Sequence, residues 1–127
     1  MFNSKKFNEI NNFLKKTNKS TKIIAISKNH SLESVMEAIS FGVNIFGENK
    51  VQEAESKFHK IKDNNPKIEL HLTGPLQSNK VKTAITLFDV FHTLDREKIA
   101  KEFKKNINFM KSKKIFIQVN TGEEKSK

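Results

Sequence analysis

The sequence predicts an α/β protein of the (β/α) barrel type, with five strands and their helices. Three observations carry that reading. Short apolar runs begin near residues 22, 43, 68, 89 and 114. The stretches between them show helical apolar spacing. The repeating unit is about 20–25 residues, short for a decorated doubly wound sheet but natural for a barrel of alternating strands and helices. Right-handed crossovers then make all five strands parallel. The repeat is one of structure, and no low-complexity linker or internal domain boundary interrupts it.

Each element has its own justification. Phe2, Phe7, Ile10, Phe13 and Leu14 form a rough stripe, which predicts an amphipathic helix over 4–17. Residues 22–28 form strand one. Its four adjacent apolar residues, Ile23 to Ile26, suit a strand buried on both faces. Ser31 can cap the next helix, with Glu33 in its first turn, Leu32, Val35, Met36 and Ile39 as its apolar face, and Gly42 at its end. Val43 to Phe46 is strand two, and Gly47-Glu48-Asn49 reads as a turn. Residues 50–61 follow as a helix rich in lysine and glutamate, and Asp63 to Pro66 as a loop. Ile68 to Thr73 is strand three. Residues 77–87 form a helix with Val81, Ala84, Ile85 and Leu87 inward, and Val90 to Leu94 is strand four. Asp95 is expected to cap a helix from Arg96 to about Met110, striped by Ile99, Phe103, Ile107 and Met110. Ile115 to Asn120 is strand five, and Thr121 to Lys127 reads as a polar loop.

Composition narrows the function classes. The chain has 127 residues, enough for one domain with a modest core. With no cysteine, disulfides, zinc–thiolate centres and cysteine nucleophiles are excluded. No apolar run approaches the roughly 20 residues of a membrane helix, and residues 1–20 lack the apolar core of a signal peptide. A cytoplasmic location is expected. The net charge of +10 raises the question of nucleic acid. Its distribution argues against that partner. The lysines are spread along the chain, Arg96 is the only arginine, and tyrosine and tryptophan are absent.

In a parallel α/β sheet, ligands bind at the carboxyl ends of the strands. Those ends carry Lys28, Glu48-Asn49, His71 and Thr73, His92 and Asp95, and Asn120. Lys28 has two readings: a lysine leaving the strand for solvent, or a buried amine kept neutral and able to condense with a carbonyl. Asn49 reads as a helix cap or a site residue, and His71 as a hydrogen-bonded core histidine or a site residue. The four histidines lack metal-ligand spacing, so no metal site is expected. No glycine-rich phosphate loop and no catalytic triad can be argued from spacing.

Four blocks occur in a telling order: Ala25-Ile26-Ser27-Lys28, Phe46 to Glu53, His71-Leu72-Thr73-Gly74-Pro75-Leu76-Gln77-Ser78-Asn79-Lys80 and His92 to Arg96. Ile117 to Asn120, followed by Glu123-Glu124-Lys125-Ser126-Lys127, completes the set. Over residues 20–127 the chain resembles the pyridoxal phosphate homeostasis protein family, whose fold is the alanine racemase N-terminal barrel. The resemblance implies a (β/α)8 barrel of TIM type, of which residues 1–127 are the N-terminal part of a single domain. It implies pyridoxal 5′-phosphate as cofactor, held as a Schiff base on Lys28, with Asn49 and His71 lining the site. It implies a carrier in vitamin B6 homeostasis rather than an enzyme, with pyridoxal phosphate-dependent apoenzymes as partners.

The chain departs from the family in ending after strand five. The family continues through three more β/α units, whose loops hold the cofactor's phosphate. A truncated reading frame, a half complemented by a second, C-terminal chain and a standalone open sheet are the alternatives. Strands one and five are expected to have open edges, the barrel interior to be exposed, and cofactor binding by the 127-residue chain to be weak or absent. Two other functions compete. An amino-acid racemase would need acid–base groups on both cofactor faces, and only Lys28 is an obvious one. A basic nucleic-acid module would show steep salt dependence.

Overall fold

The computed structural model describes residues 1–125; Ser126 and Lys127 of the expected tail loop lie outside the described residues. Helix α1 (Ser4–Thr17) precedes β1 (Ala25–Ile26). Then follow α2 (Leu32–Ser40), β2 (Ile45–Glu48), α3 (Val51–Asn64), β3 (Glu69–Leu72), α4 (Val81–Leu87), β4 (Val90–Leu94), α5 (Glu97–Lys105) and β5 (Lys114–Ile117). Single 3-10 turns, Ser78–Lys80 and Ile107–Phe109, precede α4 and follow α5. The strands form one sheet in the order β1-β2-β3-β4-β5, and every pair is parallel. Chain order equals sheet order, as in consecutive staves of a (β/α) barrel; a doubly wound sheet reverses direction at a switch point. The five strands and their helices are thus a partial barrel.

The two faces of the sheet differ. Phe46, Leu70, Leu72 and Phe91 face the helices and are buried against Ala54, Phe58, Ala84 and Ile99. The other face carries Ile24, Ile26, Gly47 and Thr73: a Cβ built at Gly47 would touch all three of its neighbours in that set. His71 pairs in register with Gly47, so it shares this inner face. Among the described residues β1 and β5 each have one sheet neighbour. Ile26, Phe116, Ile117 and Val119 are exposed. The expected open edges and uncovered interior are both present.

Several expectations need correction. Strand one was expected over 22–28 and buried on both faces, yet only Ala25–Ile26 pair and Ile26 is 47% exposed. An edge strand with one neighbour and an open inner face cannot bury both sides. Strand two runs two residues further than expected, taking in Gly47 and Glu48, which are ladder residues and not a turn. Strand five pairs over Lys114–Ile117, ending before the expected Asn120. In α1, Ile10 and Phe13 are exposed, because only its leading end, through Phe2 and Phe7, packs on the core. In α2 the buried side is Val35 and Ala38, while Leu32 and Met36 are open to solvent. The last helix ends at Lys105; Asn106 caps it and Ile107 turns outward. Its N-cap is Arg96 and not Asp95, whose carboxylate instead accepts a bond from Arg96. The Ser31 cap is as expected, its Oγ accepting from the Ser34 amide at 3.2 Å.

One glycine is required by a close approach. A Cβ at Gly74 would lie under 3.0 Å from the carbonyl oxygen, Cα and carbonyl carbon of Asn49. Backbone cannot swing aside as a side-chain end can. Gly74→Ala should therefore displace the Asn49 strand end and lower stability by about 1–3 kcal/mol. Urea denaturation checks this, and an unchanged midpoint would show that the loop has slack.

Candidate functional site

The carboxyl ends of β1 to β4 present the polar groups singled out in the sequence. β1 is continued by the bond from the Ser27 amide to the Gly47 carbonyl. Lys28 and Asn29 then turn the chain, with Asn29 at a φ of 62°. Lys28 is exposed, not buried as one reading required. Its ammonium has no hydrogen-bond or ion-pair partner among the described residues. The strand ends too early, and its inner face is too open, to desolvate this side chain.

The residues flanking Lys28 are held firmly. Lys57 Nζ, from α3, donates to the Ser27 carbonyl at 2.8 Å and to the His30 carbonyl at 3.2 Å. The same ammonium contacts Glu48 Oε1 at 2.6 Å and Glu53 Oε1 at 3.0 Å. The Ser27 hydroxyl donates to Glu48 Oε1 at 2.7 Å, and the Asn29 amide donates to Glu53 Oε1 at 2.6 Å. Hydrogen bonds from Lys57 and from the Asn29 backbone hold the Glu53 carboxyl below the usual carboxylate range. Glu48 is fully buried and Lys57 is 8% exposed. From sequence Glu48 reads as part of a turn at a strand end, and Lys57 only as one lysine of a charged helix. A signal was available. Lys57 falls on the apolar stripe Val51, Ala54, Phe58 and Ile61 and lies four residues after Glu53.

Asn49 follows β2. Its Oδ1 accepts from Thr73 Oγ1 at 2.9 Å, and Thr73 also donates to the Glu48 carbonyl at 3.2 Å. Asn49 does not cap α3, whose N-cap is Lys50. His71, on β3, is 7% exposed and joins a polar chain. Its Nε2 meets Glu69 Oε1 at 2.6 Å and its Nδ1 meets His92 Nε2 at 2.7 Å. With His71 Nε2–H donating to the carboxylate, His71 Nδ1 is the acceptor and His92 Nε2–H the donor. Phe116 of β5 lies beside the His92 ring, 5.1 Å between centroids. The structure thus brings Asn49 to Thr73 and His71 to His92, while Lys28 bonds to neither group. Asn120 is exposed, its Nδ2 donating to the Glu124 carbonyl, and it lines one cleft with Thr73, Thr93 and Asp95.

Burial, and then the neighbouring His71, holds the His92 imidazole below its ordinary 6.5. The unfolded chain therefore takes up the proton more readily than the folded one. The stabilising contribution is complete above pH 6.5 and is lost as pH falls through the depressed folded value. Thermal denaturation from about pH 7.5 down to about pH 5 should show a falling midpoint, and His92→Gln should flatten that slope. An identical slope in the variant would assign the proton to another group.

No family model matches the chain. The pyridoxal phosphate homeostasis protein of Vibrio alginolyticus is 40% identical over 115 residues, taking in 88% of this chain and 49% of the relative. That of Buchnera aphidicola subsp. Schizaphis graminum is 40% identical over 125 residues, 94% of this chain and 53% of the relative. The chain belongs to the pyridoxal phosphate homeostasis protein family. It spans about half the length of the curated relatives it matches. Among solved structures, PipY of Synechococcus elongatus, determined with PLP bound, superposes with a TM-score of 0.80 at 32% identity. That superposition covers 92% of this chain and 55% of PipY. Among the described residues no helix is long and apolar enough to cross a membrane.

Proposed function

We propose that this chain binds pyridoxal 5′-phosphate and takes part in its intracellular homeostasis, with Lys28 as the point of attachment. The observation that carries the reading is Lys28 itself: an exposed amine at the carboxyl end of β1, without a partner among the described residues, between neighbours fixed by Lys57 and Glu53. The donor set fits the cofactor. The cofactor supplies an aldehyde, which condenses with a primary amine. Lys28 offers that amine, Asn49 and Thr73 offer an amide and a hydroxyl at the next strand ends, and His71 lies on the inner face. PipY, a relative determined with PLP bound, supports the choice of cofactor.

In this reading residues 1–127 are the N-terminal part of one barrel domain, and the protein works in the cytoplasm. It acts as a carrier and not as a catalyst, which the name of its relatives supports. Asn49 and Thr73 orient the ring, and the clamped Ser27–His30 segment limits where the amine can reach. Apoenzymes that need the cofactor are its receivers, and a C-terminal segment, in the same or a second chain, completes the grip on the phosphate.

The test is reduction in place. The chain is mixed with a limiting amount of pyridoxal phosphate and treated with borohydride, and the adduct is located by peptide mass mapping. The adduct is expected on Lys28 ahead of the other lysines. Scatter across the surface lysines in proportion to exposure would end the assignment.

A further inference from the structure

The block from Gly74 to Lys80 is left unused by the cofactor reading. In the fold it is the loop from β3 to α4. With the β2–α3 loop and the residues leading into α5, it walls a cleft of about 530 Å³. Lys50, Lys80 and Arg96 line this cleft, together with the amides of Asn49, Gln52 and Gln77. No carboxylate is among its lining residues. Three cations therefore face one concave space at the carboxyl end of the sheet, where barrels bind their ligands. Low-dielectric walls focus such a field, and an anion entering it relieves the mutual repulsion.

The cations are not alike. Arg96 is anchored, its Nη2 donating to the Leu76 carbonyl at 2.6 Å and its Nη1 to Asp95 Oδ1 at 2.8 Å. Those bonds fix the guanidinium at the wall, and Asp95 offsets part of its charge. The ammoniums of Lys50 and Lys80 have no hydrogen-bond or ion-pair partner among the described residues. A fixed guanidinium, two ammoniums and three amides match the oxygens of a phosphate group in charge and in donor number.

We propose that this cleft binds a small molecule through a phosphate group, at a site separate from Lys28. The inference does not rest on the cofactor reading. Asn49 is the one residue the two places share.

Calorimetric titration of the full chain at constant ionic strength tests it. Inorganic phosphate, pyrophosphate and a phosphorylated sugar are titrated separately, which distinguishes a free anion from a phosphomonoester. Saturable binding of at least one is expected. Lys50→Gln/Lys80→Gln should weaken it about tenfold or more. Neither ammonium has a hydrogen-bond or ion-pair partner among the described residues, the charge of Lys50 acts on Glu53 only at longer range, and thermal denaturation checks that the variant is folded. Lys28→Ala should leave the affinity unchanged. No saturable binding of any of the three at millimolar concentration, or equal affinity in the double variant, would overturn the proposal. Loss of binding in Lys28→Ala would overturn the separateness of the two sites.

Discussion

Lys28→Ala should abolish attachment of pyridoxal phosphate at limiting cofactor. The borohydride-stable adduct, read by intact mass, is expected to fall by at least about tenfold, or about 1.4 kcal/mol of attachment free energy. This chain is rich in lysine, and any exposed primary amine condenses with an aldehyde to some degree. Exposure alone therefore cannot select Lys28. What sets it apart is its position between anchored neighbours. Lys57 holds the Ser27 and His30 carbonyls, Glu53 accepts from the Asn29 amide, and the Asn49–Thr73 pair lies at the next strand ends. A fixed backbone reduces the conformational freedom lost on attachment. Lys28→Arg separates charge from chemistry: the guanidinium keeps the positive charge but does not condense. Both variants should lose the adduct equally. If either variant kept the adduct, the Lys28 amine would not be the point of attachment and the assignment would fail.

The strand ends were easier to read in the sequence than the layer behind them. The strand–helix order follows from apolar runs and turn residues, which are local signals. α1 and β4 coincide with their expected ranges, and the inward set of α4 is the expected one. Local signals mislead where a neighbour decides. Ile23 to Ile26 reads as a doubly buried strand, but among the described residues β1 has only β2 beside it. Gly47-Glu48 has the composition of a turn. It is held in β2 because β1 and β3 pair on either side of it and because Lys57 reaches the Glu48 carboxylate. That ion pair joins residues nine apart that belong to different elements, a strand and the helix after it, so the periodicity of neither element shows it. The His71–His92 contact is of the same kind, since it depends on the register of β3 against β4.

Lys57→Ala is expected to cost about 3–5 kcal/mol of stability, a large share of the 5–15 kcal/mol typical of a small domain. Glu48 is fully buried, one of its oxygens, Oε2, has no hydrogen-bond partner, and the other depends on Lys57 and Ser27. Removing the ammonium leaves a buried carboxylate with the Ser27 hydroxyl alone. It also leaves the Ser27 and His30 carbonyls without their donor. The double variant Glu48→Gln/Lys57→Met separates these costs. If the orphaned charge dominates, the double variant should be more stable than Lys57→Ala, because no bare carboxylate remains buried. If the carbonyls of Ser27 and His30 dominate, the two variants should be equally weak. Urea denaturation distinguishes the outcomes, and a Lys57→Ala cost below about 1 kcal/mol would show that the carboxylate is solvated or protonated in the folded chain. Function should follow the same bonds. Lys57 holds the backbone on both sides of Lys28, so the double variant, even where folded, should spread the borohydride adduct away from Lys28 to other lysines. Stability and the site of attachment should thus both respond to the loss of one ammonium, that of Lys57.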